Sequence, residues 1–419
     1  MTEARMVYVL LDGVGDLPHP DLGGKTPLEA ASTPNMDRLA VRGAMGEVIS
    51  VGEGIAPESD IAVFNMLGYR FGDEYPGRGV IEAIGTGADF KDGDLALRGN
   101  FATLGGSGEI TDRRAGRNVG RPDAEAVSRE LEEGVRFSKS GASVSVIPSV
   151  GHRVTVRIRS EGGLSGSITN TDPAYERLRG MGVAKDASGP MRIDRCRALD
   201  DDPRAQTAAE LVNEFSEQAV KILGDSGTNE RRAAAGAKKI SCILLRDAGS
   251  RRPVVEPIEK KYSLGFSCIA DMPVELGISE VLGMEVLEAG GTCDYEQKAA
   301  AAAGADGSVY VHLKGPDEFG HDGDAAGKTS SIEDIDGRFF GPLLGAISRD
   351  ETAVVISADH STPCISKGHS DDPVPLLVSG ALAPPDGTVR FTEAQARSGM
   401  MGRLAGADVL DAALNRIRS

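Results

Sequence analysis

The sequence predicts an α/β fold: a mostly parallel sheet flanked by helices, interrupted by a smaller inserted α+β domain. Two observations carry this expectation. Val7-Tyr8-Val9-Leu10-Leu11, Val309-Tyr310-Val311-His312-Leu313 and Ala353-Val354-Val355-Ile356 are nearly continuous apolar runs rich in β-branched residues, the pattern of strands buried on both faces of a parallel sheet. Residues 143–159 instead alternate, with Val144, Val146, Val154, Val156 and Ile158 on one side and polar residues on the other, as in a half-buried antiparallel hairpin.

In chain order, the first strand stops at Asp12-Gly13. Ile61 to Leu67 follow as an apolar stretch ending at Gly68, with Ser59 standing where a helix N-cap would. Ser143 to Ser149 and His152 to Arg159 form the hairpin across Val150-Gly151. Asp202-Pro203 supplies a cap and a first-turn proline, and Ala208, Leu211, Val212, Phe215, Ala219, Ile222 and Leu223 recur at helical spacing up to Gly224. Residues 224–236 are polar and contain glycine, which predicts a loop, and Ile240 to Leu245 predict a buried strand. Ala299 to Ala303 favour a helix. We therefore expect a discontinuous domain of residues 1–92 and 256–419 enclosing an insertion of residues 93–255.

A length of 419 residues suffices for two or three domains and a substantial core. Lysines and arginines number 46 against 63 acidic residues, a net charge of −17, so nucleic acid is not an expected partner. No apolar run reaches the roughly 18 residues that span a bilayer, and Met1 to Arg5 do not resemble a signal peptide. Cys196, Cys242, Cys268, Cys293 and Cys364 form no C-x-x-C pair and suit a reducing compartment. A cytoplasmic protein without membrane partners is expected. Oligomeric state leaves no trace in the pattern.

Each apolar strand is followed within a few residues by acidic residues or histidines, and in open α/β sheets ligands gather at the C-terminal strand ends. Asp317 and His321, four residues apart, share one side of a helical turn. Asp359-His360 ends the third strand, and His369 lies in Lys367-Gly-His-Ser-Asp-Asp372. Together with Asp12, these oxygen and imidazole donors suit Mg²⁺, Mn²⁺ or Zn²⁺ rather than a soft metal. Ser59 could serve as a cap or as a nucleophile, since a hydroxyl at a helix N-terminus faces free N–H groups and the positive dipole end. His312, inside an apolar strand, is expected to be a core residue, and His19, between prolines, a loop residue. Gly13-Val14-Gly15 lacks the third glycine of a dinucleotide fingerprint. Gly323 to Thr329 has the wrong glycine spacing for a phosphate loop, so a helix start or turn is expected there. Basic residues close to these features include Arg78, His152-Arg153, Arg246, Arg251-Arg252 and Lys314, of which Arg246 and Lys314 follow apolar strands, and a phosphorylated substrate would explain cations beside metal-binding carboxylates.

Taken in order, Leu11-Asp12-Gly-Val-Gly-Asp16, Pro57-Glu-Ser59-Asp-Ile-Ala62, Gly77-Arg78-Gly79, Lys314-Gly-Pro-Asp317-Glu-Phe-Gly-His321-Asp-Gly-Asp324, Ala358-Asp359-His360-Ser-Thr362 and Gly368-His369-Ser-Asp-Asp-Pro-Val-Pro375 resemble the archaeal-type cofactor-independent phosphoglycerate mutases of the alkaline phosphatase superfamily. The resemblance implies an alkaline-phosphatase-like fold and interconversion of 3- and 2-phosphoglycerate. It implies two divalent ions (Mn²⁺, Mg²⁺, Zn²⁺ or Co²⁺) and no 2,3-bisphosphoglycerate. One ion would be held by Asp317, His321 and His369, the other by Asp12, Ser59, Asp359 and His360, with Ser59 transiently phosphorylated. His152, Arg153, Asp172 and Arg246 would bind substrate from the insertion, with Lys314 and Arg78 contributing from the metal domain. Residues 227–232 and 237–241, and the acid that follows Arg246, depart from the family pattern. A metal-dependent phosphatase or phosphomutase for another metabolite, a homoserine-kinase-like enzyme and a non-catalytic metal-binding protein remain alternatives.

Overall fold

The computed structural model describes residues 5–72, 75–178, 181–184, 189–380 and 383–418. Two compact units result, one of residues 1–71, 256–271 and 279–419, the other of residues 72–255 and 272–278.

The first unit is built on an eight-stranded sheet. Its strands run, in spatial order, Glu285–Val286, Phe266–Ile269, Ser308–Leu313, Arg5–Leu11, Thr352–Ser357, Val374–Ser379, Gly43–Ile49 and Gly402–Ala405. Val374–Ser379 runs antiparallel to both neighbours, and the remaining pairings are parallel. Arg5–Leu11 is central, pairing with Ser308–Leu313 on one side and Thr352–Ser357 on the other. Its residues Met6 to Leu10 are fully buried on alternating faces. Burial of such side chains is worth roughly 1.5–3 kcal/mol each, and this favours a two-sided parallel sheet over a solvated one. The three apolar runs read from the sequence are thus adjacent strands, and their C-terminal ends lie side by side.

In the second unit, Leu95–Leu104 pairs antiparallel with Arg153–Arg159 and with Cys242–Gly249, and Ser143–Pro148 adds to the outer edge of Arg153–Arg159. The hairpin predicted at 143–159 is this last pair. Pro203–Gly224 is a helix capped by the Asp202 side chain, and its Leu211, Val212, Phe215 and Ala219 join Phe101, Val156 and Leu131 in one core cluster. Residues 224–236 differ from the expected loop, because Gly227–Ala234 is helical with Ser226 as its cap. Sequence periodicity misses it because its anchors are polar. Asn229 bonds the Leu223 and Ile240 carbonyls, and buried Arg232 pairs with Asp123 at 2.8 Å. The strand expected at 240–245 begins at Cys242 and continues to Gly249.

The second unit begins at Gly72 rather than at residue 93, because the helix Arg78–Gly85 packs on Leu95–Leu104 so closely that a side chain on Gly79 would stand 2.6 Å from the Ala96 carbonyl. Residues 272–278 also join it, with Gly277 against the Ile81 carbonyl. Arg78 therefore belongs to the second unit, not to the first. Among the described residues no helix is long and apolar enough to cross a membrane.

One buried carboxyl of the first unit makes stability pH-dependent. Glu393 accepts a hydrogen bond from Thr26 Oγ1 at 2.8 Å through Oε2, while its buried Oε1 meets no donor among the described residues. Burial, reinforced by Glu29, pushes its pKa up to about 7 from the ordinary 4.5. Between these values the folded chain keeps a proton that the unfolded chain has released, so this group's contribution to stability falls as pH rises through that window and levels off above it. Glu393→Gln is expected to flatten the decline, measured as the difference in urea unfolding free energy between pH 5 and pH 7.5. An unchanged difference refutes the assignment.

Candidate active site

Four chain segments of the first unit deliver the candidate donors. Asp12 follows the central strand. Asp317 and His321 lie on the helix Pro316–Asp322, after the strand Ser308–Leu313 and its linking residues Lys314-Gly315. Asp359 and His360 follow the strand Thr352–Ser357, and His369 is in the loop before Val374. The backbone turns sharply at Gly13, whose φ of +60° and close neighbours admit no side chain. A Cβ there would meet Asp317 Oδ1 and Thr362 Oγ1 at 2.7 Å.

The donors fall into two compact groups, Asp12, Asp359 and His360, and Asp317, His360 and His369. His360 Nε2 lies 3.6 Å from Asp12 Oδ1 and 3.3 Å from Asp359 Oδ2, and His369 Nε2 lies 3.6 Å from Asp317 Oδ1. The His360 and His369 rings stack at 3.8 Å. His321, more exposed, places Nε2 3.5 Å from Asp317 Oδ2. The structure thus places His360 in both groups, whereas the resemblance divides the ligands without sharing. Ser59 is the first residue of the helix Ser59–Met66, and Glu58, not Ser59, occupies the cap position. Its hydroxyl, 3.3 Å from His360 Nε2, faces the donors instead of capping the helix.

The donor set fits divalent cations on two local observations. Among the described residues, Asp12 Oδ1 and Asp359 Oδ2 are buried with no hydrogen-bond donor, a costly condition for carboxylate oxygens unless a cation meets them. The imidazoles are also oriented for coordination. His321 Nδ1 is 3.1 Å from the Lys367 carbonyl and His369 Nδ1 is 2.7 Å from that of Pro57, contacts that require N–H at Nδ1 and leave the Nε2 lone pairs to the donor groups. Thr362 Oγ1 donates to Asp317 Oδ1 at 2.7 Å, so it accepts from His360 Nδ1 at 3.1 Å, and the same tautomer follows.

The electrostatics carry the same signature of crowded charge. Burial, with Asp12 beside it, pushes Asp359 up to about 7. Burial also raises Asp12, but Lys314 and His312 outweigh it and hold Asp12 well below the usual carboxylate range. Burial and the neighbouring His369 depress His360 to about 3. For His369, burial is overcome by Asp317 and Glu58, which lift it to about 9. Lys314 Nζ reaches Asp12 Oδ2 at 3.0 Å and His312 Nε2 at 3.3 Å. His312 is buried, as the apolar strand implies, yet its Nε2 also stands 3.8 Å from both Asp12 Oδ1 and Asp359 Oδ2. Sequence reasoning missed that it faces the site. The signal was the two-residue period it shares with Lys314 at the strand end.

The second unit gathers its own cationic group. Arg246 Nη1 and Arg113 Nη2 converge on buried Asp172 Oδ2 at 3.0 and 2.5 Å, and the Arg246 guanidinium lies 4.2 Å over the Tyr175 ring. Arg78 and Arg98 share Glu82 at 2.8 and 3.3 Å. His152 is depressed to about 3 by burial and by Arg153, Arg114, Arg98 and Arg246, which marks these cations as one field. Arg98, Arg113 and Arg114 were not picked out from the sequence. Arg98 was the readable one, an arginine directly after the apolar run Leu95-Ala-Leu97.

A largely parallel sheet with carboxylates and imidazoles at neighbouring strand ends, beside a helix-N-terminal hydroxyl, defines an α/β enzyme with a donor set for paired cations. A family model described as 2,3-bisphosphoglycerate-independent phosphoglycerate mutase matches residues 40–229. Curated relatives of that name from Aeropyrum pernix and Methanopyrus kandleri are 38% and 37% identical, covering 96% and 98% of this chain and 96% and 95% of their own lengths. The cofactor-independent phosphoglycerate mutase of Thermoplasma acidophilum superimposes with a TM-score of 0.63 at 29% identity over 98% of this chain and 99% of its own. A Pyrococcus horikoshii protein does so with 0.78 at 27% over 99% and 98%. The chain belongs to the 2,3-bisphosphoglycerate-independent phosphoglycerate mutase family.

Proposed function

We propose that this chain interconverts 3-phosphoglycerate and 2-phosphoglycerate without 2,3-bisphosphoglycerate, through a phosphoserine at Ser59 and with two divalent cations bound. The observation that carries this reading is the placement of the Ser59 hydroxyl, at the start of a helix and 3.3 Å from an imidazole common to both donor groups. The two groups Asp12, Asp359, His360 and Asp317, His360, His369, with His321 beside the second, would hold the cations. When bound, these supply Lewis-acid stabilisation of the phosphoryl oxygens and of the attacking and departing alkoxides.

The chain's own residues account for the remainder. Ser59 Oγ bonds to phosphorus as the bond from phosphorus to the glycerate oxygen breaks, and the proton lost by Ser59 ends on the departing alkoxide, which becomes a hydroxyl. After the glycerate turns, its other hydroxyl repeats the exchange in reverse, and Ser59 Oγ recovers a proton. The N–H groups opening the helix Ser59–Met66 add partial positive charge at the phosphoryl group. Lys314, held by Asp12 and His312, offers a fixed ammonium to the same oxygens. Arg78, Arg153, Arg246 and His152 are assigned to the carboxylate end of the glycerate, and Asp172 orients Arg246 and Arg113. Water must be kept from the phosphoserine, since hydrolysis there gives a phosphatase. A cytoplasmic location agrees with such a substrate.

The test is conversion of 3-phosphoglycerate coupled to enolase, with Mn²⁺ supplied and no bisphosphoglycerate added. Sustained 2-phosphoglycerate formation is expected. Release of inorganic phosphate without isomerisation would replace this reading with a phosphatase.

A further inference from the structure

The helix Ala325–Ile335 carries Lys328, whose side chain is fully buried. Its Nζ donates to the Gly15 carbonyl at 3.0 Å, to Asp16 Oδ2 at 2.8 Å and to the Thr362 carbonyl at 2.9 Å. All three ammonium protons are thereby used. Asp16 is equally committed, its Oδ1 accepting from the backbone N–H groups of Leu17 at 2.8 Å and Cys364 at 3.1 Å. The Lys328–Asp16 pair thus ties the loop that starts at Asp12 to the loop that starts at Asp359.

The tie is a matter of register. The Thr362 N–H donates to the same Gly15 carbonyl at 3.0 Å. The two loops are so close that a Cβ on Gly15 would stand 2.0 Å from Ser361 Oγ. Thr362 is also the residue whose hydroxyl joins Asp317 Oδ1 to His360 Nδ1, so a shift of its backbone moves a contact of both donor groups. An apolar side chain would fill this position without the several kcal/mol that burying an ammonium and a carboxylate costs. A buried pair in such a place is better understood as fixing one arrangement among several.

We propose that Lys328 is a positioning residue for the cation site, locking the Asp12–Asp16 and Asp359–Cys364 segments into the register in which Asp12, Asp317, Asp359 and His360 converge. The proposal rests on the cation-binding reading above. Mn²⁺ is titrated calorimetrically into the full chain stripped of metal, and thermal unfolding is recorded in the same buffer. Lys328→Met is expected to weaken Mn²⁺ binding at least about tenfold, within the range found when groups behind metal ligands are removed. The double variant Asp16→Asn with Lys328→Met relieves the unpaired carboxylate, so it regains thermal stability while its Mn²⁺ affinity stays low. Lys298→Met removes a comparably buried ammonium that pairs with Asp271 at 2.8 Å in the same unit. It is expected to cost stability and leave Mn²⁺ affinity as in the native chain. Native Mn²⁺ affinity in the double variant, or an equal loss of affinity in Lys298→Met, overturns the proposal while the cation reading stands. Absence of Mn²⁺ binding by the native chain overturns both.

Discussion

Ser59→Ala is expected to abolish isomerisation, with kcat lowered by at least about 10⁴-fold, because removing a covalent nucleophile leaves only binding and electrostatic stabilisation. The loss should be confined to chemistry. Ser59 is half-buried at the first position of its helix, not at the cap, and its side chain touches His360 across 3.3 Å. Truncation therefore leaves no large cavity, and the melting temperature should stay within a few degrees of the native value. The native chain, quenched during turnover with ³²P-labelled 3-phosphoglycerate, should carry acid-stable label on Ser59, and the alanine variant should carry none. Retention of a hundredth or more of native turnover by Ser59→Ala would remove the phosphoserine from the mechanism.

The strands that position this chemistry were legible because a parallel sheet covered on both faces demands uninterrupted apolar runs. Val7 to Leu11, Val309 to Leu313 and Ala353 to Ile356 meet that demand and are neighbours in the sheet. The donors at their ends were legible for a related reason, since aspartate and histidine directly after a buried strand have few structural uses. What escaped was whatever depends on partners distant in sequence. The helix Gly227–Ala234 is anchored by Asn229 and Arg232 to groups whose presence no local pattern announces. Lys328 lies in a stretch resembling a failed phosphate loop, and its role appears only once Gly15 and Thr362 are brought to it. The first edge of the second unit was misplaced because the helix Arg78–Gly85 has an apolar face that would suit either unit, and the Gly79 contact with Ala96 decides the matter.

Removal of divalent cations is expected to eliminate activity and to lower the melting temperature, and both should return on adding Mn²⁺. Three carboxylates, Asp12, Asp317 and Asp359, are gathered within one strand-end cluster, and among the described residues Asp12 Oδ1 and Asp359 Oδ2 meet no hydrogen-bond donor. Lys314 meets Asp12 Oδ2 alone, and bound cations would relieve the remaining repulsion. At cation concentrations 100-fold above the dissociation constant, linkage supplies about 2.7 kcal/mol per site, enough to move the unfolding transition by several degrees in a unit of this size. The geometry further ranks the candidate ligands. His360 stands in both donor groups, whereas His321 is at the exposed margin, in neither group, with Nε2 3.5 Å from Asp317 Oδ2. His360→Ala should therefore lose more of the Mn²⁺-dependent stabilisation than His321→Ala, a comparison made by thermal melts of each variant with chelator and with Mn²⁺. If the two variants lose equal amounts, the sharing of His360 between the cations is wrong, and the ligands divide into separate sets. If neither the native chain nor the variants respond to cation, the site does not bind metal.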